Sequence, residues 1–270
     1  MSLFPNVLIQ SLAETTSLGT NVHARDERGY TPLHYAAKEG DLPAAKWLLR
    51  NEADVNTRCN HGWSALHFAA QTGHFEMVKL LVDEKKVGVD AKQNYGLTLL
   101  HIAAWNGHFE IVKFLVDEKK ADVNAMDNVG LTAVNFALEK GCFEIVKWLV
   151  DEKKVDVNAK RDAGWTAVHY AAANGHFEIV KWLVDEKKLD VNAKQNDGLT
   201  AVYYAAMCGH FEMVKWLVDE KKVDVNAKEN GKTASEIARQ VGHWEMFEYL
   251  SHRKVSTTSE YSTAIDTNEL

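Results

Sequence analysis

Apolar positions along the chain recur with the spacing of helices, and the copy of the pattern that begins at Gly164 shows this clearly. Thr166 precedes a run with apolar side chains on one face, which predicts a short helix to about Ala173 with Thr166 as its N-cap. Gly175 suits the left-handed turn that ends such a helix. A second helix is predicted from about Phe177 to Asp185, because its apolar residues also share one face. The residues predicted to face inward are Val168, Ala171, Ala172, Ile179, Val180, Leu183 and Val184.

This two-helix pattern recurs along most of the chain at steps of 33 or 34 residues. Each copy is marked by a glycine that is followed, two residues later, by threonine or serine. A period this regular indicates one supersecondary unit stacked on copies of itself. The marker glycines are Gly29, Gly62, Gly96, Gly130, Gly164, Gly198 and Gly231.

The segments between helix pairs are rich in Asn, Asp and Gly, as residues 190–198 illustrate. The pair Asp197-Gly198 is favoured in tight hairpin turns. An isolated helix pair could not bury its apolar faces, so stability must come from stacking. The sequence therefore predicts an all-α solenoid of stacked helix-turn-helix units that carry short β-hairpin or turn fingers.

The repeated unit resembles the ankyrin repeat. The family's Thr-Pro-Leu-His-x-Ala-Ala signature stands intact at residues 31–37 and in degenerate form in the other copies. A Gly-His pair opens the second helix in most copies, and an Asp-Val-Asn element, as at residues 54–56, recurs between copies. The resemblance covers about residues 19 to 250, in seven copies. It implies the ankyrin fold and, as an expectation, a protein-binding role.

Three segments are predicted along the chain. Residues 1–24 are interpreted as an N-terminal half-repeat cap, residues 25–250 as seven repeats, and residues 251–270 as a polar C-terminal tail. The last repeat carries polar groups where the others carry small apolar ones, as at Arg239, which indicates that no further repeat stacks on it. The fourth copy departs most from the pattern, with Leu138 in place of the second alanine of the signature.

Composition narrows the function classes. The chain is 46% hydrophobic and 26% charged with a net charge of -7, which is typical of a globular protein and argues against general nucleic-acid binding. No basic, apolar leader and no uncharged stretch near the roughly 20 residues of a membrane helix are evident, so we expect neither a secretory signal nor a membrane span. The three cysteines lack CxxC spacing, which favours a cytoplasmic location.

Candidate catalytic and metal-binding residues are better explained by the repeat. No Gly-x-Ser-x-Gly elbow, P-loop or HExxH sequence is present. Most of the 12 histidines occupy repeat positions, whereas a zinc site needs about four converging ligands. Cys142 and Cys208 also occupy repeat positions and are predicted to be inert thiols. The lysine pairs that follow Asp-Glu in five copies are interpreted as a solvated convex edge. No catalytic residue, metal site, cofactor or nucleic-acid partner is predicted.

The candidate partner site lies on the concave side of the repeats. In ankyrin-repeat proteins, the residue after the marker glycine and the residues that end the first helix point into a groove. These positions vary among the copies of this chain, and several are large and apolar, which indicates a protein-binding surface. The candidate partner-binding residues are Tyr30, Trp63, Leu97, Trp105, Leu131, Trp165, Leu199 and Met207.

The sequence therefore predicts a non-enzymatic interaction module, such as a scaffold, adaptor, inhibitor or effector, that is monomeric in isolation and binds another protein in its groove. One alternative is a regulatory or targeting subunit that delivers an enzyme or transcription factor, with the C-terminal tail as a second contact. A remote alternative is an enzymatic or metal-dependent activity in an unrecognised form.

Overall fold

The computed structural model describes residues 21–85, 87–158, 162–226, 228 and 231–253. Most of the predicted N-terminal cap and most of the predicted C-terminal tail lie outside the described residues, so both assignments stay predictions. The chain divides into two compact units, residues 1–159 and residues 160–270, and each is considered by itself below.

The first unit contains four helix pairs, one for each of the first four repeats. The second helix of the third pair, α6, changes from α- to π-helical winding at Phe114. The helices are α1 (Pro32–Glu39), α2 (Leu42–Arg50), α3 (Ala65–Thr72), α4 (Phe75–Lys85), α5 (Leu99–Trp105), α6 (Phe109–Lys113, continued as a π-helix over Phe114–Glu118), α7 (Ala133–Lys140) and α8 (Phe143–Asp151).

The second unit contains three further pairs, preceded by a single 3-10 turn over Asp162–Gly164. Its helices are α9 (Ala167–Ala173), α10 (Phe177–Asp185), α11 (Ala201–Met207), α12 (Phe211–Asp219), α13 (Ala234–Gln240) and α14 (Trp244–Ser251). The described residues of both units form helices and turns without an extended strand, which confirms the predicted all-α fold of stacked helix-turn-helix units.

Small residues allow the first helices of neighbouring repeats to pack closely. Helix α1 packs on α3 and α5 on α7 in the first unit, as α9 does on α11 and α11 on α13 in the second. The paired alanines at these contacts, such as Ala36 and Ala37, have no exposed surface. In the fourth repeat, Leu138 is also fully buried, so the larger side chain is accommodated within the core of the first unit.

The histidine of the signature is a buried structural group that begins the first helix. In α1, the His34 ring nitrogen Nδ1 accepts the backbone N–H of Thr31 at 2.9 Å and lies 2.8 Å from the Thr31 hydroxyl oxygen. Since Nδ1 accepts an N–H, the ring proton resides on Nε2, which donates to the Trp63 carbonyl of the next repeat at 3.1 Å. The rings of His34, His101 and His169 each cap one helix in this way and bond a carbonyl of the following repeat.

Tight turns with left-handed glycines form the fingers between the helix pairs. In the second repeat the Cys59 N–H bonds the Trp63 carbonyl at 2.8 Å, and Gly62 has a φ of 78°. A Cβ at Gly62 would lie 2.1 Å from the side-chain oxygen of Asn94, so the neighbouring finger also requires glycine there. The Asn60 N–H bonds the Arg28 carbonyl at 3.0 Å and joins this finger to the preceding one.

The predicted solvated convex edge contains ordered contacts between repeats. In the first unit, the Lys119 ammonium pairs with Asp83 of the preceding repeat at 2.5 Å and lies 5.2 Å from the ring centre of Phe114 in its own repeat. Lys153 pairs with Asp117 in the same way. Lys221–Asp185 and Arg253–Asp219 are the corresponding pairs of the second unit. The side chains are partly exposed, but the edge is a ladder of ion pairs and not a set of independent charges.

In four of the five lysine pairs, the second lysine has a different role from the first. Lys120 and Lys154 have a φ of 59°, and Lys188 and Lys222 have values of 58° and 54°. These residues therefore adopt the left-handed conformation that glycine prefers after a helix. The conformation costs roughly 1–2 kcal/mol for a residue with a Cβ atom.

Candidate partner-binding surface

The predicted partner-binding residues share a half-buried environment, with one exception. The side chains of Tyr30, Trp63, Leu97, Trp105, Leu131, Trp165 and Met207 are each partly accessible. Leu199 is only 4% exposed and belongs to the core of the second unit, so it presents almost no surface to a partner. The assignment of the other seven as a binding surface stays a prediction.

Aromatic contacts hold the finger residues of the first two repeats in place. The ring centre of Tyr30 lies 5.1 Å from that of Phe68, and the ring centre of Trp63 lies 5.3 Å from the same phenyl ring. Phe68 is buried on α3 and therefore supports both residues from behind. Aromatic groups fixed in this way lose little side-chain entropy when a partner covers them.

Trp105 is the last residue of α5 and is held between two groups of the next repeat. Its ring centre lies 5.1 Å from that of Phe136, and the Lys140 ammonium lies 4.2 Å from the indole centre. A cation at this distance is attracted by the negative face of the ring. Trp105 therefore presents a fixed, half-exposed indole beside a positive charge.

Trp165 lies in the second unit and follows the marker glycine Gly164, as Trp63 follows Gly62 in the first unit. Its ring lies 4.9 Å from Tyr170 and 4.5 Å from Tyr204, measured between ring centres. Met207 ends α11 and remains half-buried, and its flexible side chain suits an adaptable contact.

Sequence reasoning missed the most exposed apolar side chains of the fingers. Tyr95 is 65% exposed, Val129 is 64% exposed and Met126 is 56% exposed. Tyr95 and Val129 each precede a marker glycine, where the first two repeats carry the polar residues Arg28 and His61. The sequence signal that could have identified these residues was an apolar side chain at the position before the marker glycine, which is polar in the first two repeats.

Basic side chains link the first fingers of the first unit. The Arg25 guanidinium donates to the Arg58 carbonyl at 2.5 Å, and Arg58 donates to the Lys92 carbonyl at 2.8 Å. Lys92 in turn donates to the carbonyl of Met126 at 2.7 Å. These three cations occupy one equivalent position in successive repeats, and Met126 replaces the cation in the fourth.

The titratable groups that could suggest chemistry are not activated. Burial lowers the pKa of His34, His67 and His101, which keeps these rings neutral near pH 7. Burial raises the pKa of the Cys142 and Cys208 thiols, which disfavours the reactive thiolate. In the part of the chain that the structure describes, no group of three or more His, Cys, Asp or Glu side chains could hold a metal ion.

A helix that crosses a bilayer must be both long and apolar. Among the described residues, none of the helices meets both requirements for crossing a membrane.

Comparison with known proteins agrees with this architecture. A family model described as ankyrin repeats (3 copies) matches residues 6–94, 57–127, 100–195 and 187–260. A stretch of 32 residues is 62% identical to the phytochrome-interacting ankyrin-repeat protein 1 of Arabidopsis thaliana, and this match covers 12% of the chain and 18% of that protein. The chain thus matches less than a fifth of the length of this curated relative. Because the family matches extend over most of its length, the chain belongs to the ankyrin-repeat family.

Proposed function

We propose that this chain is a non-enzymatic protein-interaction module that holds a partner protein against the fingers and first helices of its repeats. Ankyrin repeats are generally modules for protein–protein interaction, which supports the class of function. We further propose that the chain acts in the cytoplasm as a monomer, either as a scaffold, adaptor or inhibitor, or as a subunit that targets a bound enzyme.

One observation carries the proposal: the large apolar groups of the fingers and first helices are half-exposed yet fixed by their neighbours. Trp105 is held by Phe136 and Lys140, and Trp165 by Tyr170 and Tyr204. Binding energy in protein interfaces concentrates in a few aromatic anchors, each of which costs about 2 kcal/mol or more when truncated.

Affinity capture with the full chain tests this proposal. Proteins from a cell extract that bind the immobilised wild type are quantified against those that bind the double variant Trp105→Ala, Trp165→Ala. The first change introduces the residue that the fifth repeat itself carries at this position, Ala173. We expect at least tenfold weaker capture, with circular dichroism confirming that the variant is folded.

A matched control replaces two exposed lysines of the second helices. Lys113 in α6 and Lys147, the middle residue of α8, are exposed on the second helices of the third and fourth repeats. The double variant Lys113→Glu, Lys147→Glu should capture partners as the wild type does. Capture that tolerates the tryptophan changes but is lost with these charge reversals would place the binding surface on the second helices and refute the proposal.

Deletion of the tail separates the alternatives. If the chain targets an enzyme or transcription factor through a second contact, removal of residues 255–270 should abolish capture of one partner and leave another bound. A chain that binds through its repeats alone should capture the same proteins with and without those residues.

A further inference from the structure

Two adjacent fingers of the first unit form the apolar cluster Tyr95, Met126 and Val129, called the finger patch below. Of the five large hydrophobic residues that are exposed in the described part of the chain, three belong to this patch. The Asn128 N–H donates to the Tyr95 carbonyl at 3.2 Å, so the backbones of the two fingers are joined next to Val129. These two fingers therefore carry most of the exposed large apolar side chains of the described residues, and exposed apolar groups brought together in this way mark interaction sites.

The backbone under the patch is well ordered by hydrogen bonds. The Asp127 carboxylate accepts the N–H of Val129 at 3.0 Å and the N–H of Leu131 at 2.7 Å. The Gln93 side chain accepts the N–H of Tyr95. Because these turns are already fixed, a bound segment would not have to order them.

Positive charge lies directly beside the patch. The Lys92 ammonium bonds the carbonyl of Met126, and the Arg58 guanidinium bonds the carbonyl of Lys92. The finger segments 58–63 and 92–97 contain these two cations and no carboxylate. The segment 126–131 adds one carboxylate, Asp127, which accepts two backbone N–H groups. Although the whole chain has a net charge of -7, these three finger segments together therefore carry more basic than acidic side chains.

The arrangement fits an acidic peptide segment better than a nucleic acid. The basic line is short, and carboxylates such as Glu27 and Asp127 interrupt it at both ends. A nucleic acid would need a longer basic groove with aromatic rings interleaved along it. In an acidic peptide, one apolar side chain could cover the exposed apolar groups while a few carboxylates pair with the two cations.

We propose that the finger patch, together with Lys92 and Arg58, binds a partner segment in which an apolar side chain is adjacent in sequence to acidic residues. The apolar side chain covers Tyr95 and Val129, and the carboxylates lie over the two cations. This inference rests on the proposed function, because it specifies the chemistry of the partner that the repeats hold.

Selection from a random-peptide display library on the immobilised full chain tests the inference. We expect enriched peptides to combine an aromatic or aliphatic residue with two or more neighbouring Asp or Glu residues. The double variant Tyr95→Ser, Val129→Ser should bind an enriched peptide at least tenfold more weakly. Lys92→Met, which introduces the residue found at this position in the fourth repeat, should weaken binding and reduce its dependence on salt.

A matched control uses the two remaining exposed hydrophobic residues of the described chain, Val241 and Trp244, which are 44% and 61% exposed in the second unit. The variant Val241→Ser, Trp244→Ser should retain peptide binding. Circular dichroism establishes that every variant is folded.

Five outcomes would overturn the inference. Enriched peptides without acidic residues would remove the charge argument, and peptides that bind the Tyr95→Ser, Val129→Ser variant normally would remove the patch. If binding is instead lost in Trp105→Ala, the proposed function stands and only this site fails, whereas selection of no peptide together with no captured protein contradicts both. Displacement of enriched peptides by a single-stranded 20-nucleotide DNA would assign the basic surface to nucleic acid.

Discussion

The buried histidine of the second repeat should make the stability of the protein sensitive to mild acid. His67 is 3% exposed, and its Nδ1 accepts the Ser64 N–H at 3.2 Å. Burial, with a smaller contribution from the charge of Arg58, lowers the pKa of His67 from 6.5 to about 4, although the Ala91 backbone opposes this effect. Protonation would place a new N–H, at Nδ1, against the backbone N–H of Ser64, which is also a donor. The folded protein therefore favours the neutral ring.

The size of the effect follows from the difference between the two pKa values. In the unfolded chain the ring has its ordinary pKa of 6.5, whereas in the folded chain the pKa is about 4. Each pKa unit corresponds to about 1.4 kcal/mol. Protonation of the ring in the unfolded chain alone therefore lowers the free energy of unfolding by roughly 3 kcal/mol. That is a large part of the free energy of unfolding of a typical domain.

The pH window follows from the same pKa values. Above pH 6.5 the ring is neutral in both states, so this group does not affect the free energy of unfolding. Between pH 6.5 and about pH 4 the unfolded chain binds a proton that the folded chain does not, so stability falls with decreasing pH. Below about pH 4 both states are protonated and the loss levels off.

The fourth repeat supplies the variant that isolates this contribution. Asn135 replaces histidine there, and its side-chain oxygen accepts the Thr132 N–H at 3.0 Å and the Thr132 hydroxyl at 2.8 Å. His67→Asn should therefore keep the helix cap while removing the titration. Urea unfolding followed by circular dichroism at several pH values from 7.5 to 4 measures the free energy of unfolding of both proteins.

We expect the wild type to lose roughly 3 kcal/mol more than His67→Asn across this window, because carboxylate titrations are common to both proteins and cancel. His61→Asn, at an exposed finger position, is the control and should follow the wild type. If wild type and His67→Asn lose the same amount of stability, the buried neutral ring does not govern the response to acid and the reasoning is wrong.

Three further predictions concern stability. Lys154→Gly should raise the free energy of unfolding, measured by urea titration, by about 1 kcal/mol, because glycine adopts the φ of 59° without a Cβ penalty. A free energy of unfolding below that of the wild type would show that the backbone is not strained at this residue. Asp83→Asn should cost less than about 1 kcal/mol at low salt and almost nothing in 1 M NaCl, since the ion pair with Lys119 is partly exposed; a cost unchanged by salt would contradict this. Deletion of residues 231–270 should lower the thermal midpoint or the solubility, whereas deletion of 255–270 should do neither, and an unchanged midpoint in the longer deletion would refute the capping role of the last repeat.

Most of the fold could be predicted because each repeat is short and its packing is local. The spacing of apolar residues and the marker glycines specify where each helix pair begins and ends, and Thr166 caps α9 as the sequence predicts. The histidines could be assigned as structural for the same reason, since they recur with the period of the repeat.

The contacts between repeats were harder to predict from sequence. The charges of each Asp-Glu-Lys-Lys block cancel locally, so the block resembles an ordinary solvated surface. The pairing of Lys119 with Asp83 depends on the position of one repeat relative to its neighbour. That position is determined by how the helices of the two repeats pack together. Side-chain exposure has the same origin: Leu97 is half-buried and Leu199 is buried at equivalent positions, because the neighbouring side chains differ.

The ion-pair ladder of the convex edge has a consequence for how such a chain can change its length. The block of the third repeat carries an aspartate, Asp117, that pairs with the block after it and a lysine, Lys119, that pairs with the block before it. One block of sequence therefore contains both the acidic and the basic partner of the ion pair that joins neighbouring repeats. A whole block could be added or removed within the array, and every remaining block would still meet a matching neighbour without any new interface having to arise.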